Sequence, residues 1–280
     1  MTAGRLTSTP WPSCSRYDPA MGNGGLPGNA IYEPRKFTVD ERFTAHFRNL
    51  KQVFMYINDD CNLSCEQCIY KPHVKYHDGR EIQLVDALGL LSSFREMGAF
   101  KVTFLGGEPT LYGRRDRGRP LGKLIDGARN IGYSHVRLDT NGQFAPAMFD
   151  VGGLARLDEI AFSIDGYDAQ SNDLLRGEGS FAVATTRLRL AVRRGIRTSI
   201  TCCIHDGLVR PGLDGTTGVE KVIAFAQAAG AEVINFHDLF KAGVPMDTWT
   251  GSFDTTVEDH LRMYDRVRRR IENHEFSIEV

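Results

Sequence analysis

Three cysteines lie within eight residues of one another, and their spacing suggests a metal centre. The segment reads Cys61-Asn-Leu-Ser-Cys65-Glu-Gln-Cys68. Three thiolates at such close range can ligate three irons of a cubane iron–sulfur cluster. The fourth iron is then open to a substrate or a cofactor. That open position separates a catalytic cluster from an electron carrier, which holds its cluster with four cysteines.

A zinc module with three cysteines and one histidine is the main alternative, beside a non-catalytic iron–sulfur module. His73 or His77 could supply the fourth zinc ligand. A gap of three residues followed by a gap of two is not the usual pairing of zinc ligands, so we expect iron. The other cysteines are Cys14, Cys202 and Cys203. This distribution favours a reduced, cytoplasmic protein over a disulfide framework.

The pattern after residue 50 alternates short apolar strands with amphipathic helices. Such alternation predicts parallel strands joined by right-handed crossovers, and hence an α/β fold built as a partial (β/α)6 TIM-like barrel. The predicted strands are Val53–Ile57, Lys101–Leu105, His135–Asp139, Glu159–Ile164, Arg197–Ile204 and Glu232–Phe236. The predicted helices are Leu84–Met97, Leu121–Ile131, Phe181–Arg194, Val219–Ala229 and Val257–Ile271.

Chain punctuation sets the limits of this barrel. Thr217 with Glu220, and Thr255 with Glu258, have the spacing of helix capping boxes. Residues 1–45 are rich in proline and glycine and are expected to form a flexible tail, which leaves residues 46–280 as the core domain. The last segment, Phe276–Val280, resembles a strand that stops abruptly, which suggests a C-terminal truncation.

Polar motifs follow the predicted strands in order, and together they resemble the radical S-adenosylmethionine (SAM) superfamily over roughly residues 50–275. The cysteine motif follows the first strand. The later motifs are Gly106-Gly107-Glu108-Pro109, Asp139–Gly142, Phe162–Gly166 and Arg176–Phe181. The resemblance implies a radical SAM barrel with a 4Fe-4S cluster on the three cysteines and SAM as the second cofactor. It is strongest for the branch of peptide- and small-molecule-modifying members.

The resemblance also assigns residues to SAM. Backbone at the two glycines can approach the ligand closely, and a carboxylate can pair with the ammonium group of the methionine moiety. By resemblance, Ser163 contacts the ribose and Arg176 binds the carboxylate. The full expected SAM set is Gly106, Gly107, Glu108, Pro109, Asn141, Ser163, Asp165, Arg176, Gln67 and Tyr70.

Two departures from the family pattern stand out. The residue before the third cysteine is usually aromatic and touches the adenine, but here it is Gln67. We expect the adenine contact to come from Gln67 by hydrogen bonding or from Tyr70. Members of the peptide- and small-molecule-modifying branch also carry C-terminal cluster domains with further cysteines. None follows Cys203 in this chain, so auxiliary clusters are not expected here.

Strand parity predicts which side chains face the barrel lumen. In the fifth strand, Cys202 shares its face with apolar residues, whereas Thr201, Cys203 and His205 share the other. Parity also turns Arg137, Asp139, Asn235 and His237 inward. Cys203, Asn235 and His237 are therefore the candidate catalytic residues, and the Cys203 thiol could return a hydrogen atom to a substrate radical.

The polar lumen favours a polar small-molecule substrate, such as a sugar, a nucleoside or an amino-acid derivative. The runner-up is modification of a ribosomal peptide precursor. The net charge of −1 and the lack of a long apolar run argue against nucleic-acid and membrane partners. A basic loop around Arg114–Arg119 is either a solvated surface or a docking site for an electron donor such as flavodoxin or ferredoxin. Lys241–Gly251 is either a lid or a surface loop.

Overall fold

A computed structural model of the chain describes residues 49–68, 70, 79–239 and 255–280. The predicted N-terminal tail, the zinc-ligand candidates His73 and His77, and the possible lid at Lys241–Gly251 lie outside these residues. Six strands form one parallel sheet, and neighbours in the sheet are neighbours in the sequence. They are β1 (Gln52–Tyr56), β2 (Lys101–Leu105), β3 (His135–Thr140), β4 (Glu159–Ser163), β5 (Arg197–Ile204) and β6 (Val233–Asp238).

Helices follow the strands, as right-handed crossovers require. They are α1 (Leu84–Glu96), α2 (Arg119–Ile131), α3 (Ala169–Arg176), α4 (Ser180–Arg193), α5 (Asp206–Val209), α6 (Gly218–Ala229) and α7 (Val257–Glu272). The expected partial barrel is thus confirmed. Two helices were not predicted, α3 and the single turn α5. Within the described ranges, every helix is too short or too polar to span a bilayer.

The core lies between the sheet and its helices. Alternate strand residues such as Val102, Val136 and Ile160 are fully buried on the helix side, against helix residues such as Leu91 and Leu124. Because successive strand residues point to opposite faces, the residues between them face the lumen. Sequence alternation therefore fixes which side chains the barrel offers to a ligand.

The lumen differs from the expectation on one side. Thr103, Arg137 and Ser199 line the inner face of the middle strands, as predicted for a polar interior. On β1, however, Phe54 and Tyr56 face inward and are 61% and 48% exposed. The lumen is thus polar from β2 to β5, and the β1 side is aromatic. The sequence pattern hid this because aromatic residues also suit a buried strand.

Helix capping confirms one prediction and corrects another. Thr217 and Glu220 form a reciprocal capping box at the start of α6. The box at α7 uses Thr256 and Asp259, so the predicted pair of Thr255 with Glu258 is wrong by one residue. The Thr255 hydroxyl instead donates to Asp206. The spacing alone fits both pairs, and only the helix start decides between them.

The predicted last strand is reduced to a single bridge. Glu279 pairs in parallel with Val233 on β6, and its carbonyl accepts a hydrogen bond from the Ile234 amide. Phe276 and Ile278 pack on the core beside it.

Candidate active site

A cavity of about 720 Å³ opens at the C-terminal ends of the strands, where such barrels carry their chemistry. Residues from every strand end and from the cysteine loop contribute to its wall. They include Tyr56, Cys61, Cys65, Gln67, Cys68, Tyr70, Gly106, Gly107, Glu108, Asp139, Asn141, Ser163, Arg176, Thr201, Cys203, His237 and Asp238.

The three cysteines of the motif share one wall of this cavity. Cys61 is buried, and Cys65 and Cys68 are half-buried. The Glu66 amide donates to the carbonyl of Leu175 at 2.9 Å, which ties the cysteine loop to the end of α3. The loop is therefore held from outside the motif as well as within it.

The donor set of this wall, three thiols, suits an iron–sulfur cluster. In the described part of the chain, no three His, Cys, Asp or Glu side chains converge as ligands of one ion. A cubane cluster needs one thiolate for each of three irons, so its ligands need not converge. Burial raises the pKa of the Cys61 thiol to about 12. Bound iron opposes this effect, because a coordinating thiol is deprotonated.

The two glycines of the second motif are required by backbone packing. A Cβ atom on Gly106 would lie 2.0 Å from Asn58 Oδ1, and one on Gly107 would lie 2.2 Å from the Asp60 carbonyl oxygen. The Gly107 amide also donates to the Asn58 carbonyl, and the Glu108 amide donates to that of Asp60. The glycines thus allow the β2 loop to lie directly against the chain that leads into Cys61.

Glu108 is buried and strongly held by the protein itself. Its Oε1 accepts hydrogen bonds from the Thr110 amide and from the hydroxyls of Thr110 and Thr140, at 3.0, 2.6 and 2.7 Å. Its Oε2 accepts from the Asn141 amide at 2.7 Å. Burial raises its pKa, and these hydrogen bonds oppose the shift. These hydrogen bonds organise the turns after β2 and β3 around Glu108. Only Oε2 retains capacity to accept a further hydrogen bond from a ligand ammonium group.

Asp165 lies beneath the cavity wall and does not line it. Its side chain is fully buried, with Oδ2 at 2.5 Å from both Gln67 Nε2 and Arg176 Nε. Its Oδ1 accepts from the Cys203 amide at 2.7 Å. Burial disfavours the charged form of Arg176, but the Asp165 carboxylate outweighs it and raises the Arg176 pKa. Asp165, which was predicted to bind SAM, thus contacts three residues that line the cavity.

The two adjacent cysteines of β5 face opposite ways. Cys202 is fully buried in the core with Ile200 and Ile204. Cys203 lines the cavity together with Thr201. Burial, followed by the nearby Asp165 charge, raises the Cys203 pKa to about 12, so its thiol holds its proton at neutral pH.

The remaining predicted residues are divided between the cavity and its surroundings. Ser163, Asn141, Tyr70 and His237 line it. Asn235 and Pro109 do not: Asn235 lies two residues before His237 on β6, and Pro109 begins a buried turn after Glu108. His205 is also outside, because its Nε2 lies 3.0 Å from the Asp165 carbonyl oxygen within the core.

A charged network forms the floor of the lumen. Arg137 contacts Asp139 Oδ1 at 2.6 Å and Glu159 Oε1 at 2.9 Å, and Ser199 donates to the same Glu159 oxygen. Burial raises the Asp139 pKa and Arg137 opposes this shift. Asp139 reaches the cavity from this floor. Strand parity predicted that Asp139 faces the lumen, as it does in the structure.

Asn58 and Asp238 were not singled out from the sequence. Asn58 Nδ2 donates to the Glu108 carbonyl at 2.9 Å and supports the glycine turn. Asp238 lines the cavity and accepts from Tyr264 of α7 at 2.7 Å. In both cases the available signal was a polar residue within two positions of the end of a strand.

The chemistry of the cavity wall, and not only the sequence motifs, fits a cluster and SAM. Three thiols occupy one wall, and a carboxylate and a guanidinium lie on the same cavity. The buried Gln67 Oε1 and Thr201 Oγ1 have no hydrogen-bond partner among the described residues, although both side chains line the cavity. Unpaired buried polar atoms are costly, so these positions call for a polar ligand.

Comparison with known proteins identifies the family. Residues 55–210 match the radical SAM superfamily. A GTP 3′,8-cyclase from Psychromonas ingrahamii is 30% identical over 167 residues, which cover 58% of this chain and 46% of that protein. The mycofactocin maturase MftC of Mycolicibacterium smegmatis is 26% identical over 208 residues, which cover 73% and 48%. The chain therefore spans about half the length of the curated relatives it matches.

Solved structures show the same fold. Streptococcus suis SuiB bound to S-adenosylmethionine superposes with a TM-score of 0.64 at 16% identity, over 82% of this chain and 49% of that one. Native anSMEcpe with bound AdoMet gives 0.61 at 18% identity, over 82% and 64%. A 4Fe-4S cluster and SAM are the cofactors of this superfamily. With more than half of its length matched and the expected barrel in place, the chain belongs to the radical SAM superfamily.

Proposed function

We propose that this chain cleaves SAM in the cavity described above and acts on a polar small molecule, such as a sugar, a nucleoside or an amino-acid derivative. One observation carries this proposal. The three cysteines lie on one wall of a single cavity, and Asp139, Cys203 and His237 line the strand ends around it. When bound, the cluster and SAM supply a 5′-deoxyadenosyl radical that removes a hydrogen atom from substrate.

The protein's own residues would then bind, orient and shield. The Arg176 guanidinium offers a cation to the carboxylate of the methionine moiety, and Oε2 of the Glu108 carboxylate offers an acceptor to its ammonium group. Asp139, braced by Arg137, offers a carboxylate to hydroxyl or amino groups of the substrate. The neutral Cys203 thiol is a candidate hydrogen donor on the substrate side.

A nucleotide-like substrate has support from the relatives. A GTP 3′,8-cyclase covers 58% of this chain, and its name gives GTP as the molecule it cyclises. The polar side of the lumen suits hydroxyl-bearing molecules, and the aromatic side at Phe54 and Tyr56 suits a planar ring.

A peptide is the second candidate. MftC is named a maturase, and SuiB has been crystallised with its precursor peptide SuiA. The exposed aromatic face of β1 would also suit the side chains of an extended peptide. The two candidates differ in the size of molecule that the cavity must admit.

A basic loop beside the cluster wall is the proposed docking site for an acidic electron donor, such as flavodoxin or ferredoxin. Arg114 pairs with Asp60, the residue before Cys61, at 2.9 Å. Arg115, Arg117 and Arg119 project from the same loop and are exposed. We place the enzyme in the cytoplasm, since its thiols and its reductant both need a reducing compartment.

Formation of 5′-deoxyadenosine tests the substrate class. Reconstituted protein would be reduced and given SAM, alone or with GTP, with defined sets of nucleosides, sugars and amino acids, or with peptides. We expect the small polar molecules to raise 5′-deoxyadenosine formation above the basal rate. Stimulation by peptides alone would favour the second candidate. Absence of any SAM cleavage in protein that carries its full cluster would contradict the proposal.

A further inference from the structure

Gln67 stands in the cavity wall with one half of its amide bonded and the other half free. The side chain is 7% exposed. Its Nε2 lies 2.5 Å from Asp165 Oδ2, whereas its Oε1 has no hydrogen-bond partner among the described residues. An amide can present either end to a neighbour, so something must decide which end faces the ligand.

Asp165 determines the orientation of the Gln67 side-chain amide. Its carboxylate forms an ion pair with Arg176, and a carboxylate can only accept hydrogen bonds. A neighbour that only accepts must receive the NH₂ end of Gln67. The carbonyl end of the amide is then left for the cavity, where it can accept a hydrogen bond but cannot donate one.

We infer that Asp165 is a positioning residue that fixes Gln67 Oε1 as an acceptor for an N–H group of bound SAM, namely the 6-amino group of the adenine. This inference rests on the proposed placement of SAM in the cavity. SAM offers two kinds of N–H donor, the adenine amine and the methionine ammonium. Glu108 and its turn already supply acceptor capacity for a cation, whereas Gln67, as a neutral carbonyl, matches a neutral amine.

The geometry predicts how the preference can be reversed. The Cys203 amide donates to Asp165 Oδ1 at 2.7 Å, so Asp165→Asn should keep its oxygen at that position. The new NH₂ would then face Gln67, which must turn its own oxygen toward it. Gln67 would present NH₂ to the cavity, and the site would favour a base with an oxygen at position 6.

Binding of two product-like ligands measures this reversal. S-adenosylhomocysteine carries the 6-amino group, and S-inosylhomocysteine carries oxygen in its place. We expect cluster-loaded wild-type protein to bind the adenosyl ligand about tenfold or more tightly, because two facing acceptors replace a hydrogen bond in the inosyl complex. In Asp165→Asn the ratio of the two dissociation constants should fall by about tenfold or more. Loosening of Arg176 would weaken both ligands together and leave the ratio unchanged.

Gln67→Leu removes the side-chain amide that contacts the base, so the ratio of the two dissociation constants should come close to one. This variant tests the inference even if Asp165→Asn does not fold. Thr201→Val, which removes another unpaired polar atom of the same cavity, should leave the ratio as in the wild type. A wild-type ratio in both Asp165→Asn and Gln67→Leu would overturn the inference while leaving SAM binding intact.

A third ligand separates the two N–H donors of SAM. 5′-Methylthioadenosine keeps the adenine amine and lacks the ammonium group. If Gln67→Leu weakened S-adenosylhomocysteine but not 5′-methylthioadenosine, Gln67 would be reading the ammonium, and the assignment to adenine would be wrong. Failure of wild-type protein to bind any adenosyl ligand would instead refute the placement of SAM itself.

Discussion

Cys61 is held by hydrogen bonds that no sequence motif records. The Cys61 sulfur accepts from the Leu63 amide at 3.4 Å and lies 3.8 Å from Asn141 Nδ2. Hydrogen bonds to cluster sulfurs tune the reduction potential of iron–sulfur centres. The residues around the thiols therefore bear on the chemistry as well as on the fold.

Replacing Cys61, Cys65 and Cys68 together with alanine should abolish cluster binding. Anaerobic reconstitution of the wild type is expected to give about four irons per chain, with a brown chromophore. The matched control is Cys202→Ala, which also removes a buried thiol but lies in the core. Metal analysis decides the outcome: full iron content in the triple variant, or stoichiometric zinc in the wild type, would contradict the assignment.

Cys202 and Cys203 form a natural comparison, because adjacent residues of one strand face opposite environments. We expect Cys202→Ala to lower the free energy of unfolding by about 1–3 kcal/mol, since it trims a fully buried side chain. Cys203→Ala should leave thermal stability nearly unchanged and impair turnover.

Product formed in heavy water gives a second measurement on this pair. Thiol hydrogens exchange with solvent, so donation by Cys203 would place one deuterium in the product. Loss of that label in Cys203→Ala, and its retention in Cys202→Ala, is the expected pattern. Equal labelling in both variants would exclude Cys203 as the donor.

At the scale of elements, one buried carboxylate joins α7 to α6 through two arginines. Glu220 of α6 completes its own capping box and also accepts from Arg266 and Arg270 of α7, all at about 2.8 Å. Burial opposes its ionisation, but the hydrogen bonds from Arg266, Thr217 and Arg270 outweigh that effect and lower the pKa to about 2.

Acid should therefore weaken the attachment of α7. A carboxyl group with a lowered pKa stabilises the fold above its ordinary pKa, and the stabilisation is lost as pH falls. For Glu220 the loss should run from about pH 4.5 down to about pH 2. Glu220→Gln should remove this part of the pH dependence and cost about 2–3 kcal/mol at neutral pH, because two arginines lose a charged partner.

Unfolding by denaturant across this pH range is the measurement. Glu258→Gln is the control, because Glu258 forms an exposed pair with Arg262 on the same helix, and such pairs contribute little. A wild-type pH profile in Glu220→Gln would show that α7 is held by its apolar contacts at Met263 and Val267 instead.

Element prediction succeeded where burial alone sets the pattern. The six strands and five of the helices follow apolar periodicity, and their observed limits differ from the predictions by a few residues at most. Helix α3 was missed because only Asn172 and Leu175 are buried on it. Its start depends on Asp168 and Ser171, which form a capping box that contains no glutamate.

At the scale of the whole molecule, strand alternation predicted which face of the sheet a side chain lies on, but not which side chains from other elements it contacts. Cys202 and Cys203 lie as strand alternation requires. Asp165 was assigned to SAM and lies beneath the cavity wall, because its partners come from the cysteine loop, α3 and β5, which only the folded barrel brings together. Parity also turned Asn235 inward, but the cavity wall at β6 is formed by His237 and Asp238.

The bonds that shape the cysteine loop also bear on how the protein is made. The loop leans on the glycine turn at residues 106–107, on Asn141, on Asp165 and on the Leu175 carbonyl. On the ribosome, the three thiols emerge roughly a hundred residues before the last of these supports. An early nascent chain thus displays its cysteines without the surroundings that hold them in place. Cluster delivery in the cell should accordingly favour chains whose first four strands have already assembled, and oxidants would threaten the thiols most before that point.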